Sequence, residues 1–181
     1  MGSTASMVTR FPVRLALGLA LCIALAGCGG SGTGGRGGGG GDGELLDHRA
    51  MLREYAERVE EFPFPLPEGY AFPKPEALPT PAVPTLYQKG NGVVRADTAW
   101  MCAWLNEWLE AWGAGDSGRA QEALRWLEKL PETEFIASYS DLQSFRAFEA
   151  AVLERARLGD PEPVRGMLGS CRDIIELMKR G

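Results

Sequence analysis

Few side chains in this 181-residue chain could do chemistry. There are four cysteines (Cys22, Cys28, Cys102 and Cys171), a single histidine, His48, and a serine, Ser117, inside Gly115-Asp116-Ser117-Gly118. A thiol can be acylated, paired or used to hold a metal, whereas a serine becomes a nucleophile only beside a base and an orienting acid. Residues of those types, His48 and Asp97, precede Ser117 in the chain. Trp100, Trp104, Trp108 and Trp112 recur every four residues. Each offers a large flat apolar face with a polar N–H, suited to a lipid or a sugar. Which of these chemistries is used depends on the elements that position them.

The first element is an address. Residues 1–14 carry two charges, Arg10 and Arg14, and Leu15 to Ala26 is a twelve-residue apolar run. A membrane span needs ~20 apolar residues, so this run has the length of a secretory signal instead. It closes on Leu25-Ala26-Gly27-Cys28. These four residues resemble the lipobox of bacterial lipoprotein precursors, a leucine, two small residues and a cysteine. The resemblance covers residues 1–28 only. It implies diacylglycerol on the Cys28 sulfur, cleavage between Gly27 and Cys28, and acylation of the new amino terminus. Two or three acyl chains hold a protein on a bilayer where one does not.

Behind Cys28, eleven of the 24 glycines fall between Gly29 and Gly43. Such a stretch is expected to be a flexible tether spanning about 21 Å root-mean-square over 15 residues. Two motif matches in this region are accidental. Met1-Gly2-Ser3-Thr4-Ala5-Ser6 fits a myristoylation pattern, which has no reason to precede a signal peptide. Gly30-Ser31-Gly32-Thr33-Gly34-Gly35 fits a dinucleotide-binding fingerprint but lacks the strand and helix that motif requires.

Leu45, Leu52, Tyr55, Val59 and Phe62 then recur at helical spacing, which predicts an amphipathic helix over 44–62 with His48 on its apolar stripe as a structural residue. Eight of the 12 prolines lie between Phe62 and Pro84, interleaved with Phe62, Phe64, Leu66, Tyr70, Phe72, Leu78 and Val83. Proline enforces an extended chain without amide donors, and a solvated spacer has little use for so many aromatics. The segment 63–92 therefore reads as a strap packed across a helical domain in preference to a docking segment for a partner's groove.

Residues 93–181 are expected to hold four helices. Asp97 or Thr98 caps the first, which stops at Gly113. The four indoles drift about 40° per step, and with Met101, Leu105 and Leu109 they give an apolar arc of about 200°, a helix buried on most of its circumference. Trp100 or Trp112, at the ends of the ridge, could line a ligand face. Asp116 or Ser117 caps a second helix ending before Pro131. Ser140 and Gln143 form a capping box for a third, which stops at Gly159. Asp160-Pro161 starts a fourth, with Val164, Met167, Leu168, Cys171, Ile174, Ile175 and Met178 on one face. The expected fold is all-α, an up-down four-helix bundle.

With Cys22 removed alongside the signal and Cys28 lipidated, as the resemblance implies, Cys102 and Cys171 remain. In an exported chain they are expected to pair, and two cysteines without other soft ligands make a poor metal site. Gly115-Asp116-Ser117-Gly118 and the order His48, Asp97, Ser117 resemble trypsin-like serine proteases. That family needs two β-barrels and a Gly-Pro after the tetrapeptide, and here Arg119-Ala120 follows in a helical context. Glu107, Glu110, Glu122, Glu128, Glu149 and Glu154 fall largely on outward helix faces. No catalytic residue, cofactor or metal is therefore expected. A net charge of −5 argues against a nucleic-acid partner. The expectation is an extracytoplasmic lipoprotein anchored to the cell membrane through acylated Cys28. It would act by binding an envelope protein; the alternatives are a lipid or glycan binder using the tryptophan ridge, or an envelope enzyme with dispersed carboxylates.

Overall fold

The computed structural model describes residues 44–180. The signal region, Cys28 and the glycine tether lie outside the described residues.

Helix α1 (His48–Glu60) begins where Asp47 accepts from the Ala50 amide at 2.7 Å, leaving Leu45–Leu46 free to form a short strand, β1. The expected helix over 44–62 is thus shorter at both ends. β1 pairs antiparallel with β2 (Tyr87–Gln88), Leu45 opposite Gln88 and Leu46 opposite Tyr87. No strand was legible here, because two residues carry no period.

Helix α2 (Asn91–Ala114) starts six residues before Asp97, the expected cap. Its first amides are met from outside the helix. Glu54 on α1 accepts from Gly90 N through Oε1 and from Gly92 N through Oε2, both at 2.7 Å. Gly90 has φ 90°, and a Cβ on Gly92 would lie 2.6 Å from the Met51 carbonyl oxygen, so glycine permits both the turn and the close approach of α1 to α2. Glu54→Ala removes a two-pronged cap; we expect a loss of about 2 kcal/mol in chemical denaturation, with Glu54→Gln costing about half as much.

Contacts between α1 and α2 advance together along both helices, from Glu54–Gly92 through Arg58–Asp97 to Phe62–Trp100. The two therefore run parallel, and the strap supplies the return path. It packs on the domain as far as Leu78, whereas Val83, expected among the packed side chains, is 68% exposed. Phe62, Phe64, Leu66 and Phe72 lie against the main core, which Trp100, Trp104, Leu105 and Trp108 of α2 dominate. Its carbonyls have lost their neighbours' amide donors to proline, and side chains of the domain replace them. Pro65 O accepts from both Trp100 Nε1 (2.8 Å) and Trp104 Nε1 (3.1 Å). Pro73 O accepts from the buried Tyr55 hydroxyl at 3.0 Å, and burial pushes that phenol well above its ordinary pKa.

Gly115, at φ 71°, ends α2 two residues beyond the expected Gly113, and Asp116 caps α3 (Ser117–Leu127) by accepting from Arg119 N at 3.0 Å. α3 folds back antiparallel on α2, placing Trp126 on Trp104 with ring centroids 5.7 Å apart. A short helix, α4 (Glu134–Tyr139), fills what the periodicity leaves irregular. The third predicted helix is α5 (Leu142–Phe148) continued through a π-helical turn at Glu149–Leu153 into α6 (Glu154–Arg157). Asp141 caps it, one residue past the expected box, by accepting from Ser144 N at 2.8 Å. Gly159 (φ 79°) ends it, and Asp160 accepts from Glu162 N as α7 (Glu162–Arg180) begins.

The described residues are mostly helical, as expected. α2 is the hub, packed against α1, α3, α4 and α7. Along α7 the contacts run backwards, from Arg165 over the Trp112 ring to Cys171 at Cys102 and Met178 beside Ala99 and Ala103. α7 is thus antiparallel to α2.

Candidate functional site

The two bundle cysteines are brought together. Cys102 and Cys171 form a disulfide with their Cα atoms 5.7 Å apart, both buried beside Ile175. Closing a 69-residue separation stabilises by roughly 4 kcal/mol in the chain-entropy model. The staple joins the hub helix to the last one. Nearby, Asn106 Nδ2 donates to the Tyr70 hydroxyl (2.6 Å) and to Glu110 Oε1 (2.8 Å), and Lys179 Nζ donates to the same carboxylate oxygen at 2.6 Å. This network ties strap, α2 and α7 at the surface.

The tryptophan ridge is core. Trp100, Trp104 and Trp108 are buried, and only Trp112 is exposed, at 38%. Of the two end indoles expected as ligand-face candidates, Trp100 is wholly enclosed because the strap lies over it. Trp112 donates from Nε1 to Gly159 O at 3.1 Å and lies under the Arg165 guanidinium.

A different surface collects an aromatic and charged lining. The strap and α3 leave a groove of about 580 Å³ between them, over Trp104 and Trp126, with Glu68, Glu107, Arg119 and Glu122 around it. Glu107 departs from the expectation of an outward carboxylate. It is 8% exposed, and its Oε1 accepts from Arg119 Nε at 2.7 Å. That bond raises the guanidinium's pKa above its ordinary value. Trp126 and Arg119 escaped sequence reasoning because their partners belong to other elements. The visible signal was the wide apolar arc of α2, which demanded cover from a neighbouring aromatic.

The serine, histidine and aspartate do not assemble. The His48 Nδ1 sits 3.5 Å from the Tyr87 hydroxyl at the start of α1. Asp97 is wholly buried and engaged with Arg58 and with the Phe135 amide. Ser117 lies beyond the far end of α2, ~25 Å along the helix from Asp97. Among the described residues no group of three metal-ligating side chains occurs, and no helix is long and apolar enough to cross a membrane.

Comparison of the chain with family models, curated proteins and solved structures gives no match.

Proposed function

We propose that the protein is an extracytoplasmic lipoprotein, held on the cell membrane by acylated Cys28, whose disulfide-stapled helical domain acts by binding an envelope protein. The observation that carries this reading is Leu25-Ala26-Gly27-Cys28 placed between a twelve-residue apolar run and a glycine tether. The domain behind it suits an exported binding module. Its helices are cross-linked by Cys102–Cys171, and His48 and Asp97 are each engaged with other groups. We read α2, α3, α5–α6 and α7 as an up-down four-helix scaffold, with α1 and the strap added along the hub. Cys28→Ser is expected to abolish palmitate incorporation and to end lipid anchoring of the domain. Undiminished palmitate labelling of that variant would overturn the reading.

A second reading, a small-ligand binder, is favoured by one feature. The groove over Trp104 and Trp126 combines indole surface with ionised side chains, the composition of a lipid-headgroup or glycan site. Its signature is a shift of intrinsic tryptophan emission on adding glycans or lipids, lost in Trp126→Leu.

A further inference from the structure

Three of the seven large apolar side chains exposed among the described residues lie in β1 and in the end of the strap that leads into β2. Leu45, Val83 and Leu86 are 57%, 68% and 64% exposed. Val83 and Leu86 line a groove of about 950 Å³ between the start of α1, at Asp47 to Arg49, and the loop from Thr80 to Leu86. Leu45, opposite Gln88, shares a ribbon face with Leu86, two residues before Gln88. The face is a fixed one. β1 pairs with β2 behind it, Lys89 N donates to Glu44 O at 3.0 Å, and Thr85 Oγ1 donates to Val83 O at 2.9 Å. Pro81 and Pro84 flank Val83 and restrict the loop further. A cluster of this kind, unneeded for the core, marks a surface that meets something apolar.

We propose that this face docks on the lipid surface of the membrane to which Cys28 is anchored; the proposal rests on the lipoprotein reading for the position of that anchor. The chain outside the described residues supplies the argument. From Cys28 only the 15 residues Gly29–Gly43 precede Glu44, and Leu45 follows directly. Leu45 therefore follows Cys28 by only 17 positions along the chain. Three aliphatic side chains hold a bilayer weakly from free solution. A short tether makes the contact intramolecular, at an effective concentration in the millimolar range. The adjoining charges do not oppose it. Glu44 is paired with Lys89 Nζ at 3.0 Å, and at the groove the charge of Arg49 offsets that of Asp47, the cap of α1. Docked this way, the hairpin end of the domain meets the bilayer. The opposite end of α2, ~36 Å along the helix, points away with Trp112 and Leu158.

The test uses residues 28–181 with Cys28→Ser and a hexahistidine tag ahead of position 28. The vesicles are phosphatidylglycerol and phosphatidylethanolamine doped with a nickel-chelating lipid, so anchoring does not depend on acylation in the cell. An environment-sensitive fluorophore on Leu86→Cys is expected to brighten severalfold and shift to the blue on vesicle attachment. The same fluorophore on Leu158→Cys, at a site 83% exposed, stays solvent-like. Leu45→Ser/Val83→Ser should return the first signal to the level of the second. Equal, solvent-like emission at both positions overturns the proposal. So does brightening that follows protein concentration without vesicles, which assigns the face to a second copy of the chain. Loss of palmitate labelling as the criterion for Cys28 is read separately, so the two ideas fail independently.

Discussion

Asp97→Ala is expected to destabilise the folded chain by about 3–5 kcal/mol, the cost of leaving a buried charge without its partner. Asp97 is 0% exposed and sits at the junction of three helices. Its Oδ1 accepts from Arg58 Nε at 2.6 Å, and its Oδ2 accepts from Arg58 Nη2 at 3.2 Å and from the Phe135 amide at 2.8 Å. Phe135 is the second residue of α4, whose own N-cap, Thr133, makes no side-chain capping bond. Asp97 thus caps α4 from α2 while neutralising a guanidinium held on α1. Arg58 also lies over the Phe62 ring, 4.6 Å from its centroid, and its side chain is only 10% exposed. Removing the carboxylate leaves the Phe135 N–H without its acceptor and the guanidinium with only Glu134 Oε2, 4.0 Å from Nη1 and on a half-exposed side chain. Guanidinium chloride denaturation measures the loss. Arg58→Met/Asp97→Leu, which removes both charges together, is expected to recover a large part of it. A loss below about 1 kcal/mol in Asp97→Ala would mean that water replaces the carboxylate and that the junction is not sealed.

Trp100→Ala is expected to cost about 3–5 kcal/mol and also to loosen the strap. The indole is 0% exposed, its ring lies 5.8 Å from Phe62 and 5.5 Å from Phe64, and its Nε1 holds Pro65 O. Pro65 O keeps Trp104 as a donor, so the cavity outweighs the hydrogen bond. Trp108→Ala is the comparison. Trp108 is 2% exposed, but its ring stacks on Trp112 at the other end of the ridge. Both variants should lose similar stability, while chymotryptic cleavage after Tyr70 accelerates only in Trp100→Ala. Equal cleavage in both would show that the strap is held by its other anchors, at Tyr55 and Met178.

Much of the helical layout was readable because it is written locally. Apolar residues at 3.6-residue spacing outline α3 and α7, and Asp116, Gly159 and Asp160 act within a few residues of themselves. The Cys102–Cys171 pairing is expected because the lipobox resemblance implies other fates for Cys22 and Cys28, and the disulfide joins the two helices on which the remaining cysteines lie. Neither Asp97 nor Thr98 caps α2, for a definite reason. Both residue types suit an N-cap, but Glu54 reaches in from α1 and starts α2 at Asn91, which leaves Asp97 and Thr98 inside the helix. The capping box at Ser140 failed by a single residue, since Asp141 competes for the same amides.

The candidate site was less legible than the fold. The sequence pointed to the tryptophan ridge as a surface and, by its arc, as core. It could not say which indole the strap would cover, because that depends on a carbonyl 35 residues away from Trp100. Likewise Glu107 reads as a solvated helix residue until α3 folds back and brings Arg119 to it.

By itself the sequence determined the helical class, the order of glycine-rich, proline-rich and helical segments, and the residues on which an address signal would be written. Those properties depend on composition and on spacings shorter than one helix. Tertiary structure alone decided which carboxylates cap helices other than their own, which tryptophans are sealed, and that Val83 and Leu86 face the start of α1 across one exposed groove. Hydrogen-bond satisfaction and apolar burial are settled between whichever groups the chain brings together, and no local pattern records those partners.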